Sequence, residues 1–171
     1  CFMGSSTGNM LVEGDGLTEL FRNAHMLVAT HNEDETLIQS NIKLFREKYG
    51  EDVPVSCHPL IRSAEACYKS TAKAIDLATK YNTRLHTLHL STAKEMELFT
   101  TENPASKRIT NEVCVHHLWF DDRDYQKLDN KIKWNPAIKS ETDKIALQEA
   151  VNSGKIDIVA TDHAPHTQDE K

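Results

Sequence analysis

Short apolar runs alternate with longer amphipathic stretches along this 171-residue chain. Runs with the length and β-branched content of strands cover residues 26–30, 84–90, 109–115 and 156–160. Apolar residues recur at helical spacing in the stretches around them, which predicts helices over residues 16–24, 33–49, 63–81, 92–100 and 142–153. Strands and helices in alternation predict an α/β protein with a parallel sheet.

Each predicted strand ends beside a side chain that can bind a metal ion. His31 follows the first strand and His89 ends the second; His116 and His117 follow the third, and Asp162 follows the fourth. Because the carboxyl ends of parallel strands meet at one edge of a sheet, these side chains are expected to lie close together. Imidazoles and a carboxylate in such a position are typical of a metal-assisted hydrolase.

Each of these residues also has a plainer interpretation. His31 is equally compatible with the start of a helix, where the carboxylates that follow it favour the helix dipole. Asp162 would also serve as a cap for the next turn. Side chains alternate between the faces of a strand, so His86 and His89 point to opposite sides, and His89 is the candidate because it is nearer the strand end. His116 and His117 are more typical of packing, and neither is predicted to be a ligand.

Two further segments have weaker signals. Asn135 precedes a proline, which biases its backbone towards the extended region and presents its amide to a substrate. An ordinary Asn-Pro turn fits the same sequence equally well. The loop over residues 4–8 resembles a phosphate cradle in composition only, because it lacks the GK[ST] signature.

Composition and charge argue against several functional classes. A net charge of -6 leaves no basic stripe for nucleic acid. We expect no membrane association, since the sequence has neither an apolar stretch of membrane-spanning length nor a charged leader. The four cysteines form no CxxC pair, which favours reduced thiols and a cytoplasmic location. A hydrophobic content of 39% indicates one compact set of layers.

Five segments together resemble dihydroorotases of the amidohydrolase superfamily, in that family's order and over nearly the whole chain: THNEDE, LHLSTAKE, EVCVHHLWF, KWNPAIK and ATDHAPHT. The most specific element is DHAPH. The resemblance implies a (β/α)8 TIM barrel with one or two zinc ions at its carboxyl-terminal face. A closed barrel needs eight strands and roughly 250 residues. Residues 1–171 are therefore expected to be the second half of the barrel, strands five to eight, excerpted from a longer protein.

The resemblance also implies a role for each candidate residue. His31 and His89 would bind one zinc ion; Asp162 would bind the other and act as the catalytic base and then acid. Asn135 and His166 would contact the substrate. The implied reaction is the reversible cyclisation of N-carbamoyl-L-aspartate to L-dihydroorotate in pyrimidine synthesis.

Two parts of the family's metal site have no counterpart in the sequence. They are the HxH pair of the first strand and a bridging carboxylated lysine, which is expected just before Cys1. The partner most needed is therefore the amino-terminal half of the same protein, and a homodimer is compatible with the resemblance.

Three alternatives remain open from the sequence. One is a related cyclic amidohydrolase, an allantoinase or a hydantoinase. Another is a catalytically inactive dihydroorotase-like subunit that scaffolds a partner enzyme, although the retained His31, His89 and Asp162 argue against it. The third is an α/β domain whose histidines are incidental, and the concurrence of five motifs argues against this interpretation.

Overall fold

The computed structural model describes residues 1–4 and 11–164, and its centre is a four-stranded parallel sheet. The strands are β1 (Val28–Thr30), β2 (Leu85–Leu90), β3 (Ile109–Cys114) and β4 (Ile158–Ala160). Each strand pairs in parallel with the next one along the chain, so the spatial order is β1-β2-β3-β4. This sequential order is that of a barrel wall, whereas a doubly wound sheet reverses its order at a switch point. The predicted parallel α/β architecture is confirmed.

Helices connect the strands. Their bounds are α1 (Gly14–Asn23), α2 (Glu35–Tyr49), α3 (His58–Ile61), α4 (Ala64–Tyr81), α5 (Val115–Trp119), α6 (Tyr125–Leu128) and α7 (Glu141–Asn152). Serine side chains cap the amino-terminal ends of α4 and α7. Ser63 accepts a hydrogen bond from the Ala66 amide, and Ser140 forms a capping box with Asp143. None of the helices in the described part of the chain is long and apolar enough to cross a membrane.

The helix predicted over residues 92–100 is wrong, because this segment contains only a 3-10 turn, Lys94–Leu98. The reason is a buried carboxylate, Glu95, whose side chain folds back onto the turn. It accepts hydrogen bonds from the Thr71 and Thr92 hydroxyls at 2.8 Å each and from the Ser91 amide at 3.2 Å. Contacts from another helix thus outweigh the local helical pattern. Shorter 3-10 turns lie at Val55–Cys57, Asp122–Asp124 and Asp129–Ile132.

Two apolar clusters hold the helices against the sheet. In the first, α1 and α4 cover β1 and β2, with buried residues Leu17, Phe21, Val28, Ala74, Ala78 and Leu85. In the second, α7 and the 94–98 turn cover β2 and β3, with buried residues Leu90, Met96, Phe99, Val113, Leu147 and Ala150. Helices therefore cover one face of the sheet, as on the outside of a barrel wall.

The two edges of the sheet differ, and only β4 leaves apolar side chains of its own uncovered. On β4, Ile158 is 47% exposed and Val159 is 49% exposed, although successive residues of a strand point to opposite faces. At the other edge, a short segment runs parallel to the end of β1: the His31 amide donates to the Cys1 carbonyl and the Met3 amide to the His31 carbonyl, each at 3.0 Å. Among residues 1–4 and 11–164, therefore, no strand pairs with the outer edge of β4, and the sheet is only partly extended beyond β1.

Gly4 is expected to be essential for the packing of this edge segment. Its φ is +154°, and a Cβ added there would lie 1.7 Å from the Glu33 carbonyl oxygen. Gly4→Ala should therefore destabilise the protein by about 2–3 kcal/mol, because backbone and not a flexible side chain blocks the space. Gly16→Ala is the control, since its nearest neighbour is a side-chain atom at 3.9 Å. Urea unfolding measures both; equal midpoints would contradict the close approach.

Candidate metal and substrate site

The carboxyl ends of β1 and β2 bring two of the predicted ligands together. His31 follows β1, and His89 lies where β2 departs from regular pairing: Thr87 pairs with Asn111, but Leu90 pairs with Val113. Two residues of β2 therefore oppose one residue of β3, and His89 has a φ of 36°. As a result, His89 Nε2 lies 2.9 Å from His31 Nδ1, and both side chains are buried.

The neighbouring histidine of β2 takes part in a different set of contacts. His86 Nδ1 lies 2.9 Å from the Thr110 hydroxyl, and its Nε2 lies 3.1 Å from a Glu112 carboxylate oxygen. The other oxygen of Glu112 accepts a hydrogen bond from the His89 amide at 3.3 Å, which ties the bulge to β3. His89, and not His86, therefore faces His31.

A buried carboxylate fixes the orientation of the His31 ring. His31 Nε2 lies 2.9 Å from Glu33 Oε2, and Arg62 binds the same carboxylate through two nitrogens, with Nε at 3.1 Å from Oε1. Burial of Glu33 opposes its ionisation, but the hydrogen bonds from His31 and Arg62 prevail and lower its pKa to about 2. An ionised Glu33 accepts a hydrogen bond from the Nε2–H group, so in the neutral His31 ring Nδ1 carries the lone pair, and this nitrogen faces His89.

This pair has the donor type, and nearly the spacing, of two of the four ligands of a tetrahedral zinc ion. Two imidazole nitrogens on a tetrahedral zinc lie roughly 3.3 Å apart, given Zn–N bonds of about 2.05 Å. The observed separation of 2.9 Å therefore needs only a slight opening of the pair. Burial, together with the nearby His31, lowers the pKa of His89 to about 4, so its ring is neutral at pH 7 and able to ligate. The carboxylate of Glu33 behind His31 is the usual outer partner of a metal-binding histidine.

Asp162 and Asn135 lie in a neighbouring cavity of about 1030 Å³. Asp162 comes two residues after β4, is exposed, and has a φ of 46°. Asp162 does not complete a group of three ligand atoms within 4.8 Å of one another with His31 and His89. Burial lowers the pKa of His89 and of His116, and the negative charge of Asp162 partly offsets that lowering. The same cavity wall carries two lysines, Lys131 and Lys133. His166, the other predicted substrate contact, lies outside the described residues.

The segment that carries Asn135 is held by hydrogen bonds to its carbonyl groups. His58 Nε2 lies 2.7 Å from the Trp134 carbonyl oxygen, and His117 Nε2 lies 3.1 Å from that of Pro136. The Lys139 ammonium donates to the Ala137 carbonyl at 3.0 Å, and the Tyr125 hydroxyl donates to the Ile138 carbonyl at 3.4 Å. In addition, the His116 ring stacks on Trp134 at a centroid distance of 4.5 Å. The histidine pair after β3 therefore fixes the residues on both sides of Asn135.

Stability should depend on pH through His58. Burial lowers the pKa of His58 to about 4, below its ordinary value of 6.5, so the folded state favours the neutral ring. The unfolded chain binds more protons between these values, and stability therefore falls as the pH falls from about 6.5 towards 4.

The variant His58→Gln tests this dependence, because glutamine keeps a donor for the Trp134 carbonyl but does not titrate. When the pH is lowered from about 7.5 to about 4.5, the free energy of unfolding of the wild type should fall by about 2 kcal/mol more than that of His58→Gln. His25→Gln, at an exposed histidine, should follow the wild type in urea unfolding; parallel curves for all three proteins would exclude His58 as the cause.

Two residues of this site were not among those predicted from the sequence. Glu33 lies two positions after His31, so a carboxylate in the spacing H-x-E was an available signal for a ligand-orienting group. Arg62 gave no such signal, because it is 29 residues away from Glu33 and meets it only in the folded chain.

Comparison with known proteins identifies relatives of this chain in sequence and in fold. No protein-family model matches the sequence. A dihydroorotase of Halalkalibacterium halodurans is 34% identical over 150 residues, which are 85% of this chain and 33% of that protein. A dihydroorotase of Bacillus subtilis is 41% identical over 100 residues, 58% of this chain and 23% of the relative. The chain thus spans about a third of the length of the first of these relatives.

Solved structures extend the comparison to the fold. An L-hydantoinase (dihydropyrimidinase) from Arthrobacter aurescens matches 95% of this chain and 37% of its own, with a TM-score of 0.84 at 23% identity. A dihydroorotase from Campylobacter jejuni matches 92% of this chain and 40% of its own, with a TM-score of 0.62 at 18% identity. Both likenesses concern the fold, and both cover only part of a larger amidohydrolase barrel. The curated sequence relatives and the sequential parallel sheet together show that this chain belongs to the dihydroorotase family of the amidohydrolase superfamily, as part of its TIM barrel.

Proposed function

We propose that this chain is the second half of a zinc-dependent dihydroorotase, strands five to eight of its barrel, and that the complete enzyme interconverts N-carbamoyl-L-aspartate and L-dihydroorotate. The observation that carries this proposal is the buried pair of His31 and His89, whose ring nitrogens face each other at 2.9 Å at the carboxyl end of the sheet. The neighbouring cavity, which contains Asp162 and Asn135, supplies the space for a small substrate.

The residues of the chain have separable tasks in this reaction. His31 and His89 would hold a zinc ion, which when bound activates water near neutral pH and polarises a carbonyl group. Asp162 accepts a proton from the attacking water and delivers it to the ring nitrogen that leaves. The Asn135 amide orients the ring of the substrate. Lys131 and Lys133, in the same wall, give the cavity a positive charge that suits the carboxylate of dihydroorotate.

We propose that the rest of the barrel completes both the site and the sheet. A binuclear site requires more ligands than His31, His89 and Asp162 provide. In addition, the apolar side chains of β4 are exposed, and this strand needs a neighbouring strand. The first four strands of the same protein, with an HxH pair and a carboxylated lysine, would supply both. Homodimerisation of the complete barrel is compatible with this arrangement. The cysteines of the described chain are free thiols, which suits the proposed cytoplasmic location.

A hydantoinase is the second candidate function. It is favoured by one observation, the higher TM-score to the Arthrobacter aurescens hydantoinase than to the Campylobacter jejuni dihydroorotase, 0.84 against 0.62. The two candidates differ in substrate charge, because dihydroorotate carries a carboxylate that hydantoin and dihydrouracil lack.

A substrate panel on the full-length protein tests the proposal. Hydrolysis of dihydroorotate should exceed that of hydantoin, dihydrouracil and allantoin, and elemental analysis of the same sample should find zinc. Removal of the metal by a chelator should abolish the activity, and added zinc should restore it. Preferred hydrolysis of an uncharged ring would support the hydantoinase instead. Metal-loaded protein that hydrolyses none of the four would point to an inactive scaffold.

A further inference from the structure

A second group of potential metal ligands lies at the carboxyl end of β3. Cys114 ends this strand, and His116 and His117 belong to the helix α5 that begins directly after it. One ligand atom from each of the three side chains lies within 4.8 Å of the other two. All three residues are buried, with exposed fractions of 0%, 8% and 3%. In the described part of the chain, this is the one group of three such ligands at that spacing.

The hydrogen bonds around this group leave a ligand atom unused. His117 Nε2 donates to the Pro136 carbonyl at 3.1 Å, so Nδ1 carries the lone pair of the neutral ring. This Nδ1 is buried and has no hydrogen-bond partner among the described residues. A buried acceptor without a partner is costly, and a bound cation would remove that cost. The His116 ring is held beside it by its stacking on Trp134.

The chemistry of the group fits a borderline-soft divalent ion. A thiolate with two imidazoles is a common part of zinc sites, with bonds of about 2.3 Å to sulfur and about 2.05 Å to nitrogen. In tetrahedral geometry these bonds place the ligand atoms roughly 3.3–3.6 Å apart, so the group would contract slightly around an ion. Burial raises the pKa of the Cys114 thiol to about 12, so the thiol is protonated without an ion and releases its proton on binding. His116 also lines the cavity that contains Asp162, which gives an ion a route to the group.

We propose that Cys114, His116 and His117 form a binding site for a zinc-type divalent ion, separate from the pair of His31 and His89. A tetrahedral ion would need a fourth ligand, which water or a carboxylate would supply from the cavity that His116 lines. An ion in this site would tie the end of β3 to the segment around Asn135, because His117 and His116 contact Pro136 and Trp134. Its role is therefore to order the substrate-binding wall, not to take part in the chemical step.

Cobalt substitution of the full-length protein tests this site without an activity assay. A thiolate bound to Co²⁺ gives an intense charge-transfer absorption in the near ultraviolet, whereas a site built from histidine and carboxylate ligands gives none. The wild type, freed of metal and titrated with Co²⁺, should develop this absorption. Cys114→Ser should lose it, and the control Cys57→Ser, at another buried cysteine, should keep it.

A second variant separates ligation from folding. His117→Gln keeps a donor for the Pro136 carbonyl and removes the free ring nitrogen, so it should weaken cobalt binding at this site at least about tenfold, as read from the charge-transfer titration. Cobalt that binds to the wild type without the thiolate absorption would overturn the proposal, as would an absorption that persists in Cys114→Ser. Neither result would affect the proposed dihydroorotase activity, which depends on the other site.

Discussion

Asp162→Asn is expected to lower kcat for dihydroorotate hydrolysis about 10²–10⁴-fold in the full-length protein, because asparagine cannot accept and deliver the proton. The fold should be unaffected. Asp162 is exposed, lies after the end of β4, and has a positive φ of 46° that asparagine tolerates as well as aspartate does. Steady-state kinetics with dihydroorotate measure the effect, and thermal unfolding of the same sample verifies the fold.

Asp129→Asn is the matched control for this experiment. Asp129 is also exposed and also has a positive φ, of 50°, so the substitution makes the same chemical change at another residue with positive φ. Its kcat should stay within about twofold of the wild type, because nothing places it at the reacting atoms. If both variants lost activity equally, or if Asp162→Asn kept most of the wild-type kcat, Asp162 would not be the catalytic base.

Glu33→Gln is expected to have the largest effect on stability, about 3–5 kcal/mol in the free energy of unfolding. Glu33 is fully buried and ionised between His31 and Arg62, and its loss of charge leaves the largely buried Arg62 guanidinium without its counter-ion. The same change should weaken zinc binding about 10–100-fold, because His31 loses the charged acceptor that raises the basicity of its ring as a ligand. Urea unfolding and a competitive zinc titration measure the two effects.

Two comparisons identify the buried charge as the cause. Glu65→Gln removes an exposed ion pair with Lys94 and should cost less than about 1 kcal/mol. The double variant Glu33→Gln with Arg62→Gln should be more stable than Glu33→Gln alone, because it leaves no unpaired buried charge. Additive losses in the double variant would contradict this explanation.

The stabilisation by Glu33 should also depend on pH in a defined direction. Its pKa in the folded state is about 2, below its ordinary value of 4.5. The contribution is therefore present above about pH 4.5 and is lost as the pH falls towards 2. The wild type and Glu33→Gln should accordingly converge in stability in acid.

Most of the fold could be predicted from local pattern. The four strands and the helices α1, α2, α4 and α7 were recognisable because hydrophobic spacing of two or 3.6 residues reflects which face of an element is buried. The predicted ends of the strands were less accurate. Both β1 and β4 are shorter than predicted, because the first residues of each predicted strand have no partner strand to pair with. The helix predicted over residues 92–100 did not form, because the Glu95 carboxylate of that segment accepts hydrogen bonds from the Thr92 hydroxyl and from the Thr71 hydroxyl of α4.

For the candidate site, too, the sequence identified residues but not the contacts between them. Position along the chain placed His31, His89 and Asp162 at strand ends, and a family resemblance added Asn135 and His166. The pairing of His31 with His89 depends on a bulge in β2, whose register against β3 joins residues more than 20 positions apart. Sequence spacing within β2 distinguished His89 from His86, but it could not give the distance between rings on different strands.

By itself, then, the sequence determined the alternation of strands and helices, the family, and which ligand-type residues end each strand, because these depend on local periodicity and on motifs. Only the tertiary structure decided that Glu33 is clamped by Arg62, that three histidines fix the segment around Asn135, and that Cys114 joins His116 and His117. Those contacts join distant segments, or depend on how a side chain turns at a strand end. The packing of the whole sheet, and not the neighbours in the chain, sets the contacts between distant segments and the orientation of side chains at strand ends.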